Sequence, residues 1–255
     1  MYAEERQQAM ARLVTERRRL SVAALAEEYA VTTETVRRDL SVLERAGLVR
    51  RVHGGAVPAS ALASVESELD ERAATNTAAK ERIAAAAVGQ LPPDGSTVII
   101  DAGSTTARMA SAIPPDLRLS AYTHAVPVAA RLLFLPRVDL HLLPGRVRHT
   151  TQAAVGAETV SALELLRADV VFLGTNGLDT EHGLSTPDSD EAATKRAIVA
   201  AARRVVVLSD SSKIGAASPI RFAQLDAVDC LVTDDGIEPD VRRDLEAIGI
   251  EVVVA

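Results

Sequence analysis

The chain has no tryptophan, and only three tyrosines and three phenylalanines in 255 residues. Alanine, valine and leucine must therefore fill the core, a stock that suits packed α/β layers better than an aromatic-rich all-β sandwich. A single cysteine, Cys230, excludes an internal disulfide and a cysteine-built metal cluster. Set in Val228-Asp229-Cys230-Leu231-Val232, it reads as a small buried hydrophobe rather than a reactive thiol. No run approaches the roughly 18 apolar residues of a membrane span. The opening Met1-Tyr2-Ala3-Glu4-Glu5-Arg6 lacks the apolar core of a signal peptide, so a cytoplasmic protein with no membrane partner is expected. His124, His141, His149 and His182 show no i, i+4 pairing, and no metal site is expected. Lysine is nearly absent too, confined to Lys80, Lys195 and Lys213.

What is present is unevenly spread. The net charge is −7, which by itself argues against nucleic acid, yet residues 1–58 hold ten arginines against eight acids and the excess of acid lies beyond them. Glu4 to Arg17 has Met10, Leu13 and Val14 at helical spacing. Ser21 suits the cap of a second helix, Val22 to Tyr29, and Thr32 that of a third, Thr33 to Ala46, closed by Gly47. Leu48 to Val52 alternates like a strand, His53-Gly54-Gly55 forms a turn, and Ala56-Val57 returns before Pro58. Two helices, a third with a polar face and a basic hairpin predict a winged helix-turn-helix. In the third helix Val36, Leu40 and Leu43 make one apolar stripe. At about 100° per residue Glu34, Arg38, Ser41 and Arg45 lie opposite Val36, flanked by Thr35 and Arg37. Thr32, Thr33, Glu34, Thr35, Arg37 and Arg38 at the start of such a helix are placed to meet base edges, while Arg50, Arg51 and His53 on the wing suit phosphates of duplex DNA.

Residues 59–79, rich in Ala, Ser, Thr and acid, read as a linker that is partly helical, ahead of a second domain at 80–255 with a helix from Asn76 or Thr77 to Ala87. From Thr97 onward short Val/Ile/Leu runs alternate with helical stretches. The strands expected are Thr97–Ile100, Leu117–Tyr122, Val138–Leu143, Asp169–Leu173, Val205–Leu208, Val228–Val232 and Ile250–Val254, which predicts a mostly parallel sheet covered on both faces. Ligands bind beyond the carboxyl ends of such strands. Four polar segments fall there: Asp101-Ala102-Gly103-Ser104-Thr105-Thr106, Gly174-Thr175-Asn176-Gly177, Thr186-Pro187-Asp188-Ser189-Asp190-Glu191 and Ser209-Asp210-Ser211-Ser212-Lys213. Gly103 with the hydroxyls after it suits an anion at a helix N-terminus, and it equally suits simple capping. Lys195, Lys213 and Arg146 are candidate cations for a phosphate. The segment lacks the ending of a nucleotide-binding P-loop, and no Gly-x-Gly-x-x-Gly follows a strand.

Val31-Thr32-Thr33-Glu34-Thr35-Val36-Arg37-Arg38-Asp39-Leu40, with Leu43, Gly47-Leu48 and Arg50-Arg51-Val52-His53-Gly54-Gly55-Ala56, resembles the DeoR family of bacterial regulators. The resemblance runs on through Asp101 to Thr106, Asn176-Gly177, Glu191 to Arg196 and Asp210 to Lys213. It implies a C-terminal domain similar to ribose-5-phosphate isomerase and glucosamine-6-phosphate deaminase that senses a sugar phosphate without turning it over, and no cofactor. By this resemblance Gly103, Ser104, Thr105 and Thr106 would cradle the phosphate with Lys195 and Lys213 nearby, and Asp101, Asn176 and Asp190 would meet sugar hydroxyls. Pro144-Gly145-Arg146 departs from the Gly-Gly that often precedes the strand-end Arg. Tyr2 to Gln7 and the high Arg/Ala content look like actinobacterial members linked to fructose uptake by the phosphotransferase system, which implies fructose 1-phosphate as inducer. The expectation is a repressor that binds operator half-sites as a homodimer or homotetramer. One rival is a sugar-phosphate isomerase with an added winged domain, using Asp101, Asp190 and Glu191 as acid/base groups. Another is a module whose winged domain binds protein.

Overall fold

A computed structural model describes residues 3–17, 20–46, 48–52, 55–58 and 69–255. The chain divides into two compact units, Met1–Ser64 and Val65–Ala255.

The first unit contains α1 (Ala3–Arg17), β1 (Leu20–Ser21), α2 (Val22–Glu28), α3 (Thr33–Arg45), β2 (Val49–Val52) and β3 (Gly55–Pro58). Both anticipated caps form: Ser21 Oγ accepts the Ala24 N–H at 3.0 Å and Thr32 Oγ1 the Thr35 N–H at 3.2 Å. The stripe Val36, Leu40 and Leu43 is buried with Met10, Val14 and Leu25 in one core. The wing is three-stranded, in the order β1-β3-β2, because the two-residue β1 pairs antiparallel with β3. Glycine at position 55 permits this pairing, since a Cβ there would collide with the Leu20 carbonyl. Asp39 is buried on α3, bonded at 2.7 Å by Arg6 Nε and at 2.8 Å by Gln7 Nε2, which ties α1 to α3. Gly47, His53 and Gly54 lie outside the described residues, and of Arg50 and Arg51 only the backbone of β2 is described.

The second unit begins with α4 (Leu69–Ala74) and α5 (Thr77–Ala87). The stretch 69–79, read from composition as linker, thus belongs here. Then follow β4 (Ser96–Ile100), α6 (Ser104–Ser111), β5 (Leu119–Thr123), α7 (Val126–Leu132), β6 (Val138–Leu142), β7 (Arg146–Arg148), β8 (Ala153–Val155), α8 (Ala157–Glu164) and β9 (Val170–Gly174). The chain continues through β10 (Gly177–Asp179), β11 (Gly183–Thr186), α9 (Ser189–Ala201), β12 (Val205–Leu208), β13 (Ile220–Ala223), β14 (Cys230–Thr233), α10 (Pro239–Ala247) and β15 (Glu251–Val254). Seven strands form a parallel sheet in the order β15-β14-β12-β9-β4-β5-β6. Because side chains alternate along a strand, each run feeds two cores. Val98, Ile100, Phe172 and Val206 pack with Ile83 of α5, Met109 of α6 and Val128 of α7, while Ile99, Val171, Leu173 and Val207 pack with Leu163 of α8, Ile198 of α9 and Leu245 of α10. Cys230 is buried in the first of these cores.

From β4 the chain adds strands on one side, β5 and β6, and then crosses to add β9, β12, β14 and β15 on the other. The boundary between β4 and β9 is therefore the topological switch point, where a crevice opens beyond the carboxyl ends of the strands.

Candidate functional site

On α3 the residues Thr32, Thr33, Glu34, Arg37, Arg38 and Arg45 are exposed, and Thr35 and Ser41 are half-buried. Several of these groups already have local partners. Arg37 Nη1 lies 3.3 Å from Glu34 Oε2, Ser41 Oγ donates to the Arg37 carbonyl at 2.8 Å, and Arg45 Nε to the Ser41 carbonyl at 3.2 Å. Thr32 and Thr35 share a hydroxyl contact of 2.9 Å. The guanidinium groups of Arg37, Arg38 and Arg45 thus point away from the core that Val36 and Leu40 fill, on one helix capped at its N-terminus by Thr32.

At the switch point lies a cleft of ≈ 570 Å³, counting its open mouth. Its floor is the turn between β4 and α6. The N–H groups of Ser104, Thr105 and Thr106 precede the first intrahelical bond, from Ala107 N–H to the Gly103 carbonyl at 3.0 Å, and no side chain caps this end. They form the positive end of the helix. Gly103 is confined by Thr106 Oγ1, which would stand 3.0 Å from a Cβ at position 103. The loop after β9 (Gly174, Thr175, Asn176), α9 (Glu191, Lys195), the loop after β12 (Ser209, Asp210, Lys213), Arg72 of α4, Lys80 of α5 and Thr151 complete the walls. Thr151 Oγ1 is buried without a hydrogen-bond partner, leaving a hydroxyl for whatever enters.

Beneath the floor sits a fully buried hub. Asp101 pairs with Lys195, accepts the Gly174 N–H at 2.9 Å and lies 3.0 Å from His124 Nε2. His124 Nδ1 faces the Ala154 carbonyl at 2.7 Å, and Lys195 Nζ also donates to the Gly174 carbonyl at 2.9 Å. Burial alone would raise the Asp101 carboxyl, but the Lys195 ammonium and the hydrogen bond with His124 outweigh it and bring it to about 2. The loops after β4, β5 and β9 are thereby locked together.

Lys80 has a different setting. Its ammonium donates to the carbonyls of Arg72 at 2.5 Å and Thr75 at 2.8 Å, at the end of α4. Burial lowers its pKa to about 8. Asp210 opposes that shift, and the cations of Lys213, Arg108 and Arg72 add to it. Asn76, the left-handed residue between α4 and α5, bonds Asp210 at 2.9 Å and Ser212 at 3.2 Å. The end of α4 is thus fastened to the cleft wall. Among the described residues no group of three or more His, Cys, Asp or Glu is placed to hold a metal ion, and no helix is long and apolar enough to cross a membrane.

The model of the DeoR C terminal sensor domain matches residues 75–235, and that of the DeoR-like helix-turn-helix domain matches residues 6–61. The chain belongs to the DeoR family. The HTH-type transcriptional regulator GlpR of Haloferax volcanii is 36% identical over 253 residues, 99% of this chain and 98% of that protein. The Escherichia coli K12 glycerol-3-phosphate regulon repressor is 33% identical over 234 residues, 92% of each. Among solved structures, ribose 5-phosphate isomerase A of Methanocaldococcus jannaschii is similar over 55% of each chain, with a TM-score of 0.41 and 17% identity. The family and its regulator relatives make this chain a DNA-binding transcription regulator and not an enzyme.

In this DeoR-family chain the cleft brings together Gly103, Ser104, Thr105, Thr106, Asn176, Lys195 and Lys213 of the expected effector residues. Three expectations need correction. Asp101, expected to meet sugar hydroxyls, is fully buried and engaged by Lys195, His124 and Gly174, so it positions the loops. Arg146 and Asp190 are absent from the cleft wall and pair with each other at 2.7 Å with both side chains substantially exposed, because the β7 strand carries Arg146 out to the first turn of α9. The isomerase reading placed acid/base roles on Asp101, Asp190 and Glu191, and the third of these is held by Arg148 at 2.7 Å. Sequence reasoning also missed Lys80, Arg72 and Thr151 as wall residues and His124 as the partner of Asp101. The scarcity of lysine was a signal for Lys80, which only its place beside the supposed linker obscured.

Proposed function

We propose that the chain is an operator-binding repressor of a sugar catabolism or phosphotransferase-system operon, working in the cytoplasm and released when a phosphorylated sugar enters the cleft. The observation that carries this reading is the uncapped first turn of α6, whose three N–H groups share a cleft with all three lysines of the chain. Such a helix terminus suits a phosphate. Asn176, Thr175 and Thr151 provide polar partners for a polyol chain. Fructose 1-phosphate is the effector we favour, and the relative named for the glycerol-3-phosphate regulon supports a small phosphorylated polyol.

DNA would meet α3 through Thr33, Glu34, Arg37 and Arg38, with Ser41 and Arg45 further along the same helix and Arg50, Arg51 and His53 of the wing on phosphates. A two-fold operator needs two such helices, so the working form is a homodimer or homotetramer. Lys80 links effector to operator. It holds the last carbonyls of α4 and also lines the cleft, so an anion that draws its ammonium inward loosens the segment through which the sensor unit is joined to the DNA-binding unit. The ligand acts only by binding the two states unequally. The test is fluorescence anisotropy of the protein on its own upstream DNA, titrated with fructose 1-phosphate. Release at concentrations that also raise the melting temperature supports the reading. A complex indifferent to every sugar phosphate tried overturns it.

A further inference from the structure

The cleft wall is electrostatically divided. On one side stand the end of α6, Lys80, Lys213 and Arg72, three cations against the single carboxylate of Asp210, which Asn76 and Ser212 hold. On the other, Glu191 enters from the first turn of α9, four residues before Lys195 and hence on the same helix face. Glu191 is nine-tenths buried and its carboxylate is fixed from behind. Arg148 Nη1 bonds Oε1 at 2.7 Å, and Thr186 Oγ1 stands 3.5 Å from Oε2 and 3.2 Å from Asn176 Oδ1. The Arg148 guanidinium does not leave this wall neutral, because its Nη2 also serves Asp188 at 3.2 Å, so among the described residues one cation faces two carboxylates. Lys195 does not offset the excess, its ammonium being paired with Asp101.

A carboxylate only accepts hydrogen bonds, so this wall welcomes hydroxyl donors and repels anions. We infer that Glu191 determines the effector class: the cleft takes a sugar bearing one phosphate, seated at α6, and rejects a sugar carrying a second phosphate toward α9. This rests on the reading of the cleft as a sugar-phosphate site and goes beyond it by fixing the number of phosphates. Asn176, bonded in the same network, shares the hydroxyl-facing wall.

The test is calorimetric titration of the full chain with inorganic phosphate, fructose 1-phosphate and fructose 1,6-bisphosphate, repeated with Glu191→Gln, which keeps the shape and an acceptor but removes the charge. The wild type should bind the monophosphate at least about tenfold more tightly than the bisphosphate. In Glu191→Gln the bisphosphate should gain relative to the monophosphate. A wild type that binds the bisphosphate as well as the monophosphate overturns the assignment, as does a ratio unmoved by the substitution. Inorganic phosphate probes the α6 end alone. If it binds while the two sugars are not discriminated, only the role of Glu191 falls; if none of the three binds, the sugar-phosphate reading falls with it. Should Glu191→Gln fail to fold, the wild-type ratio decides by itself.

Discussion

Asp101 illustrates how a residue at a site can matter without touching a ligand. Its carboxyl, at about 2, lies below its ordinary 3.8, so its contribution to stability is complete above pH 4 and is lost as the pH falls through 2. From the size of that shift the contribution is ~2 kcal/mol. Asp101→Asn would leave the Lys195 ammonium buried without the carboxylate that balances its charge, and is expected to lower stability by about 3–5 kcal/mol in urea unfolding. Lys80 gives a second pH signature. Above pH 8 it loses its proton while a sugar phosphate remains a dianion, so effector affinity should fall as the pH rises through 8, and calorimetry with Lys80→Met should show that dependence removed. On the DNA face, Arg38→Ala is expected to weaken specific operator binding by roughly 1–3 kcal/mol in a gel-shift titration, with nonspecific DNA affected much less. The segment Asp101 to Thr106 was legible as a site because a strand ran directly into Gly and three hydroxyls. The opposite roles of its members were not, because only the strand order shows that Asp101 faces Gly174 and His124 from below.

At the scale of elements, legibility followed composition. Val205–Leu208 is an unbroken apolar run and forms β12 with those bounds, and the caps Ser21 and Thr32 announced α2 and α3. The strands β10, β11 and β13 escaped because three or four residues each are too few to set a period: β10 and β11 pair as a short antiparallel hairpin, and β13 joins β11 from more than thirty residues further along the chain. β1 escaped because two residues carry no period, and its existence depends on the missing side chain at Gly55. Gly55→Ala should therefore detach β1 from β3 and lower the melting temperature of the first unit, and unchanged amide-exchange protection at Leu20 and Ser21 would contradict this. Thr32→Ala removes the α3 cap and should cost about 1 kcal/mol.

At the scale of the whole molecule, binding and release are linked reciprocally. If a sugar phosphate weakens operator affinity by some factor, operator DNA must weaken sugar-phosphate affinity by the same factor. The placement of all three lysines on one cleft carries a practical corollary. Apart from the α-amino terminus, an acylating reagent has no amine to modify elsewhere on the chain. Mass-spectrometric mapping of adducts on untagged protein then becomes a footprint of cleft occupancy, in which an effector protects all three lysines at once.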